Sequence, residues 1–64
     1  MSIGENIKSK RIQLGLSQDE LALAAGVGDI WGYELDKITP SLSVLMKLAL
    51  ALHCELGDLI YDKK

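Results

Sequence analysis

Sixty-four residues, 48 % hydrophobic and 25 % charged, make a single small domain over residues 1–64 and exclude disordered or collagen-like chains. The lone cysteine, Cys54, excludes an internal disulfide, and without an accompanying Cys/His cluster no metal or other cofactor is expected. Seven Lys/Arg against nine Asp/Glu give a net charge of −2, with Lys8, Lys10 and Arg11 near the start and Glu55, Asp58 and Asp62 before Lys63 and Lys64 near the end, so a polyanion is expected to prefer the N-terminal end.

Leu and Ala dominate the aliphatic content, and no period-two alternation is sustained, so an all-α domain is expected. A first helix is predicted from Ile3 to Leu14, with Ile3, Ile7 and Leu14 on one face and Gly15 as C-terminal cap. Ser17-Gln18-Asp19-Glu20 reads as a capping box, so a second helix starts at Gln18 and ends at Gly26, carrying Leu21, Ala24 and Ala25. Gly26-Val27-Gly28-Asp29 is a tight turn. Asp29 or Gly28 then caps a short third helix, Ile30 to Leu35, although Gly32 inside it costs helix stability. After a loop from Asp36 to Thr39, a fourth helix runs to Leu52, capped by Thr39 with Pro40 in its first turn, or by Ser41. Its expected buried stripe is Leu42, Leu45, Leu48, Ala49 and Leu52. A last helical turn covers Leu56 to Ile60.

No run is long enough to cross a bilayer, since the longest apolar stretch is Leu48 to Leu52. No signal-peptide pattern opens the chain, and a free thiol without disulfides fits the cytoplasm. The carboxylates are scattered, and no Gly-rich phosphate loop is present, so no catalytic residue is expected and the chain does not read as an enzyme. At least one of Trp31 and Tyr33 is expected in the core. His53 reads as a surface residue and Cys54 as a packed one.

Short helices with a Gly-containing turn between the second and third describe a compact five-helix bundle with a helix-turn-helix. The chain resembles the Cro/repressor-type helix-turn-helix domains of the XRE family, which include the N-terminal domains of lambdoid phage repressors. The resemblance rests on Ile7-Lys8 to Arg11, Gly15 to Ala22, Ala25-Gly26-Val27, Tyr33-Glu34, and Pro40-Ser41-Leu42 running into Leu48 to Leu52. It implies a regulator, repressor-like in action, that binds double-stranded DNA as a homodimer with its third helix in the major groove.

Residue by residue, the resemblance implies that the Ser17–Gln18 helix start touches a phosphate. It places Gly28, Asp29, Trp31 and Gly32 toward base edges, and Lys37 and Thr39 beside the flanking backbone. Lys8, Lys10 and Lys47 are further candidates to neutralise phosphate. It also implies a partly buried ion pair between Arg11 and Glu34. One departure stands out: the stretch from Gly26 to Glu34 is about two residues shorter than the family pattern, at the position where side chains reach bases. That shortening leaves an alternative open, a helix-turn-helix scaffold that does not read DNA: a protein-interaction module or an altered or designed variant of the family.

Overall fold

The computed structural model describes residues 2–61. Asp62, Lys63 and Lys64, which entered the charge reading, lie outside the described residues. Five helices follow in order: α1 (Ile3–Gln13), α2 (Gln18–Ala25), α3 (Ile30–Glu34), α4 (Leu42–Ala51) and α5 (Leu56–Ile60). There is no strand among the described residues.

Helices α1 to α4 each begin where a short polar side chain accepts from one of the orphan amides. Ser2 accepts from the Glu5 amide at 3.0 Å, and Glu5 returns a bond to the Ser2 amide. Ser17 and Glu20 repeat the device at α2, with bonds of 3.0 and 2.8 Å. Of the two caps the sequence left open for α4, Ser41 is the one used, accepting from the Val44 amide at 3.2 Å. Pro40 therefore lies just outside the helix, buried, rather than in its first turn.

The stops are left-handed turns. Gly15 takes φ +70°, which lets Leu16 donate to the Arg11 carbonyl and Gly15 to the Ile12 carbonyl, a Schellman closure. Gly26 does the same for α2 at φ +68°, with Val27 donating to the Ala22 carbonyl. At the end of α4 the left-handed position falls to His53, which is exposed, with Cys54 donating to the Ala49 carbonyl.

The core is a single cluster of Ile7, Leu21, Ile30, Leu45, Leu48, Ala49, Leu52 and Leu59. α1 packs on α3 and α5, α2 on α3 and α4, and α4 on α5. Inside this apolar cluster the Asn6 side chain donates to the Leu59 carbonyl at 2.9 Å, tying α5 to α1. Cys54 packs against the cluster from its edge.

Several expected core positions face solvent. Leu42 is 60 % exposed because α4 turns its Leu45–Leu48–Ala49–Leu52 side inward, leaving Leu42, Met46 and Leu50, one turn apart, as a neighbouring stripe open to solvent. Leu14 is also exposed, since α1 stops at Gln13 and the chain turns there. Ala24 lies on the outer side of α2. α3 ends one residue early, at Glu34, because Asp36 takes φ +59° and the Lys37 amide turns back to the Gly32 carbonyl.

A lone glycine inside α1 has a packing reason. A Cβ at Gly4 would collide with the carbonyl oxygens of Tyr33 and Glu34 and with the Asp36 carboxylate, which accepts from the Gly4 amide at 3.0 Å. Backbone atoms cannot retreat as a flexible side chain can, so Gly4→Ala is expected to destabilise the fold by about 1–3 kcal/mol. Leu48→Ala is expected to cost about 2–5 kcal/mol, whereas Leu50→Ala should stay within about 0.5 kcal/mol of the parent. Urea unfolding followed by circular dichroism measures all three.

Candidate nucleic-acid interface

α3 is only five residues long, too short to hold its shape alone. Local and long-range bonds hold it. Asp29 caps it, accepting from the Gly32 amide at 2.9 Å. Ile30 anchors it in the core, and Tyr33 packs beside that core. Gly32, expected to weaken the helix, lets the Asp29 carboxylate and the Ile38 side chain lie close against it: a Cβ there would push on both.

The strongest fastening is polar. Arg11 Nε donates to Glu34 Oε2 at 2.6 Å, and its Nη2 to Oε1 at 3.0 Å, a two-pronged pair. A third guanidinium nitrogen, Nη1, donates to the Leu16 carbonyl at 2.8 Å. The Glu34 side chain is 2 % exposed. Gln18 Nε2 also donates to Glu34 Oε1 at 3.0 Å, so one carboxylate gathers α1, the start of α2 and the end of α3. The hydrogen bonds to Glu34 raise the pKa of Arg11 above its ordinary value, opposed by burial and helped by the direct charge attraction. The guanidinium is therefore charged throughout the ordinary pH range.

On the outer side of this fastening lies a continuous surface. Gln18, Asp19, Gly28, Asp29 and Trp31 border one shallow depression between α2 and α3. Lys8, Gln18, Trp31 and Leu35 border a second, toward α1. Trp31 stands between the two and is 54 % exposed, so of the two aromatic residues on α3 Tyr33 is the one at the core. Lys37 Nζ lies 5.6 Å from the centre of the Trp31 ring, a cation–π contact. Thr39 is exposed in the loop beyond. At the start of α2, Ser17 Oγ serves the Glu20 amide, while the amides of Gln18 and Asp19 have no intrahelical acceptor.

One of these uses escaped the sequence reading. Asp29 caps α3, as one of the two caps expected there, whereas Gln18, read as a phosphate contact, also donates inside the protein to Glu34. The lone helical Gly4 was the available signal that α3 and its following turn press closely on α1.

The profile of the Cro/C1-type HTH DNA-binding domain matches residues 6–64. The chain belongs to that family. Among solved structures, the Cro/C1-type chain is similar to the restriction-modification controller protein C.AhdI from Aeromonas hydrophila, at 33 % identity and a TM-score of 0.87, over 91 % of each chain. It is also similar to the P22 c2 repressor protein in complex with synthetic operator 9T, at 29 % identity and a TM-score of 0.86, over 94 % of each chain. No curated protein sequence matches it. A Cro/C1-type domain is a DNA-binding regulator, and α2, the turn over residues 26–29, and α3 form its helix-turn-helix. No helix among the described residues is long and apolar enough to cross a membrane.

Arg11→Met removes both prongs of the pair while leaving the Glu34 carboxylate buried with only Gln18 beside it. The expected loss is about 3–5 kcal/mol of folding stability, seen as a lowered unfolding midpoint. An unchanged midpoint would mean that the pair contributes nothing to holding α3.

Proposed function

We propose that the protein acts as a repressor-like regulator in which two copies bind one DNA duplex and set α3 of each copy into successive major grooves. The observation that carries this reading is the continuous exposed surface from the start of α2 to Trp31, on a fold similar to that of a repressor held on its operator. Helix-turn-helix dimers read half-sites about one helical turn apart, and bound protein then obstructs or recruits polymerase.

Within that surface, the Ser17–Gln18 helix start takes a backbone phosphate on the free amides of Gln18 and Asp19. Gly28, Asp29 and Trp31 lie against the groove, with Gly28 keeping the backbone slim and Asp29 holding the helix start, whereas Gly32, expected beside them, is buried behind the Asp29 and Ile38 side chains. Lys37 and Thr39 reach the flanking strand, and Lys8 sits beside the same depression as Trp31. Lys10 and Lys47 carry no positional argument here. Arg11 and Glu34 act on DNA only by fixing where α3 stands.

By analogy with family members that pair through their C-terminal ends, the exposed part of the segment from Leu59 to Tyr61 is the dimer contact. Leu59 is fully buried and Ile60 packs on the core, so among the described residues of this segment Tyr61, 71 % exposed, is the one open to a second copy.

Cations are few on this surface, and Asp19 and Glu5 share it, so the electrostatic part of binding is small. A dimer engaging Lys8 and Lys37 in each copy gives a slope of about −4 in a plot of log affinity against log salt. Lys37→Ala is expected to flatten that slope by about 2. Fluorescence anisotropy with a labelled mixed-sequence duplex, read from low to physiological salt, tests both. Absence of association even at low salt would favour a scaffold that binds no DNA.

A further inference from the structure

The polar side chains around α3 each spend at least part of their bonding capacity inside the protein. Asp29 Oδ1 accepts from the Gly32 amide, Gln18 donates to Glu34, Glu34 is buried under Arg11, and Lys37 lies over an aromatic ring. The remaining α3 residues are Ile30, in the core, Gly32, Tyr33, packed against the core, and Trp31. Trp31 therefore stands as the one large side chain that α3 offers outward, at the second position of the helix, where recognition helices meet bases. Its neighbour one turn on, Leu35, is exposed and apolar as well.

Resting on the DNA-binding reading above, the geometry points to Trp31 as the specificity-determining residue, recognising thymine through its C5-methyl group by apolar contact. Thymine is the one ordinary base that presents a methyl group in the major groove, so apolar contact with the face of the indole ring selects it over cytosine and over either purine. Lys37 fits the same role. Its ammonium group over the ring holds Trp31 in place and puts a positive charge at the edge of the contact, where the flanking phosphates run.

The test starts from a duplex pool with about 20 randomised base pairs, enough for two half-sites one turn apart. Retained duplexes are sequenced, and each thymine is then replaced singly by uracil, which pairs identically and lacks only the methyl group. At one thymine or more per half-site, the replacement is expected to weaken binding about fourfold, the factor expected for losing one buried methyl-sized group, and about fifteenfold when both half-sites are changed. Trp31→Ala should abolish this preference and weaken binding overall, with the parent unfolding midpoint showing that the domain is still folded. Trp31→Phe should retain part of it. If uracil is tolerated at every position, or if Trp31→Ala still prefers thymine, the assignment is overturned while the DNA-binding reading stands. If the pool is not retained even at low salt, that reading falls and the assignment with it.

Discussion

Glu34 is the point on which the arrangement turns. A five-residue helix has no stability of its own, and its place relative to α1 and α2 must be imposed from outside. The imposed geometry comes from one buried carboxylate held by two nitrogens of Arg11 and one of Gln18. Planarity matters: the guanidinium presents its donors in a rigid fork, so it fixes direction as well as distance, which a lysine at position 11 would not. Burial makes the choice strict, because the same carboxylate without its partners would be a stranded charge. Gly4 adds a steric stop on the other side, letting the Tyr33–Asp36 segment press onto α1 without an intervening Cβ.

Much of this was legible beforehand, and for local reasons. Ser17 with Glu20, and Gly15 and Gly26 as left-handed stops, are short-range signals whose physics depends on a few neighbouring residues, so they placed α1 and α2 within a residue. Asp29 as the cap of α3 followed from the same kind of reasoning. The sequence was less informative where only burial decides. α4 has leucine or methionine on two neighbouring stripes, Leu45 and Leu48 inward and Leu42, Met46 and Leu50 outward, and composition alone cannot say which stripe meets α2 and α5. Leu59 and Tyr61 illustrate the same problem two residues apart: one is sealed in the core, the other open to solvent.

The candidate interface was legible in outline and not in chemistry. Ser17, Gln18, Gly28, Asp29, Trp31, Lys37 and Thr39 could be named from resemblance, because motif positions carry over between chains that share a backbone path. What each side chain is free to do does not carry over. That depends on its partners within this protein, and Gln18 reaching Glu34 or Lys37 reaching Trp31 joins residues far enough apart in sequence that no local pattern encodes it.

The shortness of α3 ties these observations together. A helix of five residues takes its cap from Asp29 and its fastening from Glu34, both of them side chains with groups suited to a ligand. Stability of the recognition element and hydrogen-bonding capacity toward bases are therefore in competition within the same few residues. An exposed indole resolves that competition in one direction. Apolar contact needs no free donor or acceptor, tolerates a fixed backbone, and gains from the rigidity that the Asp29 cap and the Glu34 network already provide.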